Sequence, residues 1–236
     1  MSMYRFATIV LMTLGTCQAQ AAGFLSFAEN VGGVTPWETE CVGCPYDLTA
    51  SFSSTMPGDN LKWNRQGVEF SDPSFANLFG TEASLLSLNR PDPPGAGGET
   101  TAIIQFAEPL PQGAKMVIFD VDAIDERLTL FSNISLSAPT VMETQTDPQE
   151  TRFDFPSVPA LWNGATRTLS SADSDSVNNN PFEAYVFDAE GMSNVEVTYT
   201  TTAGQASIGF VVPEPSTLSF AGLGVCLLIG LRRHFR

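Results

Sequence analysis

Val195-Glu-Val-Thr-Tyr-Thr200 is followed, after a short break, by Ala206-Ser-Ile-Gly-Phe-Val-Val212. Apolar and polar residues alternate in the first stretch, and the second is a short apolar run; both patterns are typical of β-strands. Between residues 22 and 212 we find no 3.6-residue periodicity that lasts beyond two or three turns. The two stretches therefore predict β-structure.

Comparable runs recur through the middle of the chain, separated by turns rich in Gly, Pro, Asn and Asp. The clear ones are residues 48–54, 101–106, 115–122, 127–131 and 182–187. Weaker candidates are residues 60–70, 83–89, 132–137 and 166–169, and residues 75–78 are expected to form one helical turn. About ten short strands favour an all-β fold, a single jelly-roll-like β-sandwich that we place at residues 22–211.

The composition is strongly acidic. The 236 residues include 26 Asp and Glu but only 11 Lys and Arg, which gives a formal net charge of −15. Because nucleic-acid binding needs cations that neutralise phosphates, this composition excludes nucleic acid as a partner.

Histidine is almost absent, since the single one, His234, lies among the basic residues at the C-terminal end. The middle of the chain therefore has no Ser-His-Asp or Cys-His arrangement and no histidine-ligated zinc or iron site. It also has no Gly-rich phosphate loop. We expect a protein that is not an enzyme; a hydrolase with two catalytic carboxylates is the alternative that the abundant acids leave open.

The first 21 residues have the three parts of a secretory signal peptide. Arg5 supplies a positive charge, residues 6–16 are a short apolar run, and Ala19-Gln20-Ala21 matches the small-residue cleavage site. The run is too short to span a bilayer of roughly 30 Å. We expect cleavage after Ala21; a buried N-terminal helix and lipidation at Cys17 are the alternatives.

The other end of the chain begins with Val212-Pro213-Glu214-Pro215 and continues as an apolar run over residues 217–231. A helix of that length, roughly 23 Å, predicts a short transmembrane segment. The cationic residues after it are expected to stay in the cytoplasm and to put the acidic domain on the far side of the inner membrane. They are Arg232, Arg233 and Arg236.

This order of Val-Pro-Glu-Pro motif, Gly- and Leu-rich apolar segment and terminal Arg cluster resembles the PEP-CTERM sorting signal over residues 212–236. The resemblance implies a Gram-negative bacterial protein that is held briefly in the inner membrane. It further implies recognition of the tail by exosortase, an integral-membrane enzyme, and cleavage near the motif. A plain C-terminal anchor without processing is the alternative.

Cys41 and Cys44 are the cysteines that remain after removal of both ends. Outside the cytoplasm such a pair is expected to form a disulfide. A redox-active pair suits the sequence less well, because Gly43 and Pro45 disfavour a continuing helix around Cys44. Free thiols are the remaining alternative.

The segment 120–126 is the strongest candidate for a metal site. Asp120 and Asp122 are expected on one face of a strand end, with Asp125 and Glu126 in the turn that follows. Carboxylates that converge in this way suit Ca²⁺, as in β-sandwich carbohydrate-binding modules, which this segment resembles loosely. An acidic, solvated strand end is the alternative.

Two tryptophans in loop-like surroundings, Trp37 and Trp162, are candidates for stacking on sugar rings. Aromatic residues of a β-sandwich more often fill its core, and that is the alternative for both.

These features favour a non-catalytic bacterial surface or exopolysaccharide-matrix protein, exported by its signal peptide and processed by exosortase. A Ca²⁺-dependent carbohydrate-binding module is the alternative function, with extracellular polysaccharide as its partner.

Overall fold

Strands form most of the regular structure in the computed structural model, which describes residues 22–25, 48–54, 64–88, 98–121, 125–144, 159–172, 183–202, 204 and 206–213. Within these ranges the strands are β1 (Ala22–Phe24), β2 (Leu48–Ser54), β3 (Asn64–Glu69), β4 (Glu82–Leu88), β5 (Gly98–Phe106), β6 (Lys115–Phe119), β7 (Arg127–Ser132), β8 (Thr140–Glu143), β9 (Leu161–Asn163), β10 (Thr168–Ser170), β11 (Glu183–Asp188), β12 (Asn194–Thr201) and β13 (Ala206–Pro213). A helix, α1 (Pro73–Phe79), separates β3 from β4 in the sequence.

The strands pair into two antiparallel sheets. One has seven strands in the order β3-β4-β13-β6-β11-β8, with β1 also paired to β13. The other has six, in the order β2-β5-β12-β7-β10-β9. Both belong to one compact unit that extends from Ala22 to Pro213. The predicted all-β sandwich is confirmed at this level.

The main core lies between the two sheets. Tyr185, Phe187 and Phe210 from the seven-stranded sheet share one buried cluster with Val197 and Tyr199 from the six-stranded sheet. All five side chains are almost inaccessible to solvent. Burial of apolar area on this scale is the main term that stabilises a sandwich.

A second core covers the other face of the seven-stranded sheet. The ring centroid of Phe24 lies 5.6–6.4 Å from those of Phe70, Phe75, Phe79 and Phe119. Two of these phenylalanines come from α1, so the helix acts as a lid over the sheet. The central strands of the seven-stranded sheet, β13, β6 and β11, are therefore buried on both faces.

The two sheets differ in sequence pattern for this reason. In β13 every residue from Ala206 to Val212 is buried, as expected for a strand that is covered on both sides. In β12 buried Val195, Val197 and Tyr199 alternate with residues that keep solvent contact. The alternation shows that the six-stranded sheet has one face in the core and one face open to solvent.

Several expected elements are wrong in extent. The weak strand at 132–137 is absent, because β7 ends at Ser132 and the next strand is β8. The expected strand at 115–122 ends at Phe119, because Asp120 has a left-handed backbone with φ 66°. The helical turn at 75–78 is a seven-residue helix, capped by Asp72.

The predicted signal peptide and the predicted transmembrane segment fall on residues 1–21 and 217–231, outside the ranges that the structure describes. Among the residues it does describe, no helix has the length and apolar character needed to cross a bilayer.

Candidate functional site

A polar cleft of about 570 Å³ opens at one end of the open face, across β7, β10 and β12. Hydroxyl groups dominate its lining; they belong to Thr129, Thr166, Thr168, Ser170, Ser171 and Thr200. Four further residues add an amide, a guanidinium and two carboxylates: Asn163, Arg127, Asp125 and Glu126. This lining offers many hydrogen-bond donors and acceptors in a small space.

Strand register aligns part of this lining into a row that crosses the sheet. Thr101 pairs with Thr198, Thr198 with Thr129, Thr129 with Thr168, and Thr168 with Asn163. Directly paired residues point to the same face of a sheet, here the face that solvent reaches. We call these five residues the threonine row; at the usual strand spacing it spans about 19 Å.

The hydroxyls of Thr129 and Thr168 lie 3.5 Å apart, within reach of a hydrogen bond. Thr168 also donates to the main-chain oxygen of Thr166 at 3.2 Å. These two contacts position the Thr168 hydroxyl relative to the Thr129 hydroxyl and to the main chain of Thr166.

A second row runs beside the first. Arg127 pairs with Thr200 on one side and with Ser170 on the other, and Thr200 pairs in turn with Glu99. Arg127 is exposed, and its neighbours in the cleft include the carboxylates of Asp125 and Glu126. The lining therefore contains one cation and two carboxylates.

Apolar side chains lie on the other side of the threonine row. Phe131 and Ile103 are 49% and 39% exposed, and both pair with Glu196 of β12. Each is two residues from a member of the row along its own strand and so shares its face. The open face thus combines a polar cleft with an exposed aromatic ring.

The turn between β9 and β10 closes one end of the cleft. The Asn163 side-chain oxygen accepts hydrogen bonds from the main-chain N–H groups of Ala165 and Thr166 at 3.0 and 3.3 Å. Arg167 completes the turn with φ 55°, and its carbonyl accepts a bond from the Leu130 N–H. These contacts hold Asn163 and Thr166 in fixed positions at the rim.

A buried pair forms the floor. The Tyr199 hydroxyl donates to Oε1 of Glu126, whose side chain is only 1% exposed. Burial, followed by the adjacent Glu126 carboxylate and more weakly by Asp120, raises the pKa of the Tyr199 hydroxyl well above 10. Gly204 lies against the same carboxylate, and a Cβ atom there would overlap with the Glu126 side chain.

The acidic segment does not have the geometry that the sequence predicted. Asp120 follows β6 and has a left-handed backbone conformation, so it is not part of the strand in which it was expected. Asp122, expected on the same face of that strand, lies outside the described residues. Asp125 is also left-handed and is exposed, whereas Asp120 and Glu126 are buried. Within the described ranges no three His, Cys, Asp or Glu residues form a group able to hold a metal ion. Calcium binding stays a prediction.

Trp162 turns away from the cleft. It is half-buried against the core, where its ring meets Phe187 edge-to-face at 5.0 Å. Its neighbours in β9, Leu161 and Asn163, are exposed. A role for Trp162 in sugar stacking stays a prediction, and the aromatic ring that does lie on the open face is that of Phe131.

Val212 and Pro213 of the predicted sorting motif form the end of β13 and pair with β1. The remaining predicted site residues lie outside the described ranges: Trp37, Cys41, Cys44, Glu214, Pro215, Arg232, Arg233 and Arg236.

Sequence reasoning missed the threonine row, Arg127 and Phe131. The alternation in β5, β7 and β12 was a usable signal, since it marks Thr, Arg and Phe as outward-facing residues. Their convergence depends on the strand order, which pairs residues up to about a hundred positions apart in the sequence.

Comparisons of the chain with protein-family models, with curated proteins and with solved structures found no match.

Proposed function

We propose that the chain is an exported bacterial surface or exopolysaccharide-matrix protein whose folded unit is not an enzyme. In this proposal residues 1–21 direct export and are removed. Residues 212–236 hold the precursor in the inner membrane of a Gram-negative bacterium until exosortase processes it. The sequence patterns at the two ends support both steps.

The observation that carries the proposal is the pairing of the first and last strands. β1 begins at Ala22, directly after the predicted cleavage site, and Ala22 pairs with Pro213 at the end of β13. The Leu25 N–H also donates to the Phe210 carbonyl at 2.8 Å. Cuts after Ala21 and beyond Pro213 would therefore leave both terminal strands and the sandwich between them complete.

The strand order supports a jelly-roll-like connectivity as the finer description of the fold. From β5 to β9 each strand lies in the opposite sheet from the strand that precedes it in the sequence. In such a sandwich, function is usually carried by an open face or by loops, and here the open face holds the cleft.

A Ca²⁺-dependent carbohydrate-binding module is the second candidate. The observation that favours it is the position of Asp125 and Glu126, which bring the end of the predicted calcium segment into the hydroxyl-lined cleft. Calorimetry against the exopolysaccharide of the producing organism, with Ca²⁺ and with a chelator, distinguishes this candidate from a matrix protein that binds no sugar.

Fractionation of cells tests the sorting step. The full chain is produced in a Gram-negative host that encodes exosortase, beside the double variant Glu214→Ala/Pro215→Ala and the control Ser219→Ala. We expect the full chain and the control outside the inner membrane and the double variant retained in it. Release of the double variant in equal amount, or release in a host without exosortase, would overturn the sorting proposal.

A further inference from the structure

We propose that the open face of the six-stranded sheet binds a neutral polysaccharide, with the sugar chain lying along the threonine row and its end in the cleft. This inference rests on the proposed function, because export into a matrix supplies the ligand. It adds the surface, the residues and the charge class of the sugar. The sequence patterns at the two ends of the chain indicate none of these.

Hydrogen bonding is the first argument. Sugar hydroxyls both donate and accept, and so do Thr and Ser hydroxyls, whereas Arg donates only and carboxylates accept only. The cleft offers six hydroxyl groups together with Asn163, Arg127 and two carboxylates. Such a mixture can satisfy the hydroxyls of a pyranose ring in either direction.

The shape of the site is the second argument. The threonine row crosses the strands in one line for about 19 Å, and Thr101, Thr198, Thr129 and Thr168 all keep solvent contact. An extended polymer can lie along such a line and contact each strand in turn. A small compact ligand would use only the cleft.

Exposed apolar side chains provide the third argument. Phe131 and Ile103 flank the threonine row on the side away from Arg127. The faces of a pyranose ring that carry C–H groups are apolar and pack on aromatic or aliphatic side chains in the way that other apolar groups do. A sugar on the row would therefore meet the hydroxyls and, beside them, these two apolar side chains, between which Glu196 lies.

Charge decides the class of polymer. The chain carries −15 overall, and three exposed acids lie on this face. Glu99 and Asp125 lie on the Arg127 side of the threonine row, and Glu196 lies on the other side. Such a surface repels polyanions, including uronate-rich or sulfated polysaccharides and nucleic acids. A neutral polysaccharide has no such penalty.

A protein partner fits this face less well. Protein interfaces have a dehydrated apolar centre with aromatic or Arg anchors and a polar rim. Here the polar groups lie in the concave part, and Phe131 and Ile103 lie beside it. The arrangement is the reverse of an interface core.

Affinity electrophoresis tests the inference with the released protein, because an acidic protein migrates well in native gels. The gels contain hydroxyethylcellulose, dextran, the neutral exopolysaccharide fraction of the producing organism, or its anionic fraction. We expect at least one neutral gel to slow the protein. No retardation in any neutral gel, or retardation in the anionic gel alone, would overturn the inference while leaving the sorting proposal intact.

Variants locate the site. Thr129→Val/Thr198→Val removes two hydroxyls of the row with little change in shape and keeps good strand formers. We expect about a tenfold weaker retardation, as for the loss of one or two net hydrogen bonds. Thr140→Val is the matched control, an exposed threonine of β8 in the other sheet, and should bind as the unchanged protein does.

Phe131→Ala provides an independent variant, since an exposed ring can be truncated with little loss of stability. We expect weaker retardation for it as well, which keeps the inference testable if the double variant does not fold. Unchanged retardation of a folded double variant, or of Phe131→Ala, would contradict binding on this face.

Discussion

The hydroxyl of buried Tyr199 donates to the carboxylate of Glu126, which is 1% exposed. The pair links the core, through the Tyr199 ring, to the floor of the cleft, through Glu126. A buried carboxylate needs its donors, because an unsatisfied acceptor retains the full cost of its desolvation. Tyr199 is therefore a structural residue with a direct effect on the cleft.

Replacement of Tyr199 by Phe removes that donor with almost no change in volume. At pH 7 we expect the free energy of unfolding to fall by about 1–3 kcal/mol, measured by denaturant titration. Above pH 10 the difference from the unchanged protein should narrow. Tyr199 has a raised pKa in the folded protein, so the unfolded chain loses this proton first, and the stability of the unchanged protein decreases as the pH rises.

Tyr199→Phe has no hydroxyl at this position, so its free energy of unfolding lacks that contribution to the decrease at alkaline pH. Tyr185→Phe is the control, since it removes another buried hydroxyl, one that bonds Glu183 and the Ala160 N–H, and leaves Tyr199 in place. Its free energy of unfolding should decrease with alkaline pH as that of the unchanged protein does, because Tyr199 is still present. If the free energies of unfolding of the unchanged protein and Tyr199→Phe differed by a constant amount from pH 7 to pH 11, the raised pKa of Tyr199 would be contradicted.

At the scale of elements, α1 shows how a short helix is fixed locally. The Asp72 carboxylate accepts from the N–H groups of Ser74 and Phe75 at 2.8 and 3.0 Å, and Pro73 occupies the first helical position. A seven-residue helix is too short to be stable alone, so it depends on this cap and on the phenylalanine cluster beneath it.

We expect Asp72→Ala to lower the free energy of unfolding by about 1 kcal/mol, the usual cost of losing an N-cap. Asp72→Asn keeps an oxygen acceptor and should unfold at nearly the same denaturant concentration as the unchanged protein. Chemical denaturation of the three proteins side by side measures both effects. Equal losses in the two variants would show that the negative charge, rather than the cap, stabilises α1.

The elements also show what the sequence predicts and what it does not. Alternation in β12 predicted a strand with one buried face, and the structure has that strand with Val195 and Val197 inside. The apolar run of β13 predicted a strand as well, but the cover that buries its second face comes from α1 and Phe24, far away in the sequence. The strand at 140–143 was missed because four residues with one apolar pair carry too little pattern.

The site was predicted less well than the fold for the same reason. Local pattern marks which side chains of one strand point outward, but strand register decides which of them meet. The metal prediction assumed that β6 continues through Asp120, and a single left-handed residue ends the strand there. Asp tolerates that conformation better than most residues, so the residue type that indicated a ligand also allowed the turn.

At the scale of the whole molecule, the two ends of the folded unit meet at one pair of strands. Because Ala22 pairs with Pro213, the proposed cleavage sites lie just outside a hydrogen-bonded ladder. Val212 is buried, so a cut before it would remove part of the core. We therefore expect processing to fall after Pro213 and not within β13.

The mass of the intact protein recovered outside the cells tests this account most directly. We expect a polypeptide that starts at Ala22 and ends after Pro213 but before the apolar run at 217–231. A mass that includes Arg236, or a chain recovered only from the cytosol with Met1 in place, would contradict it.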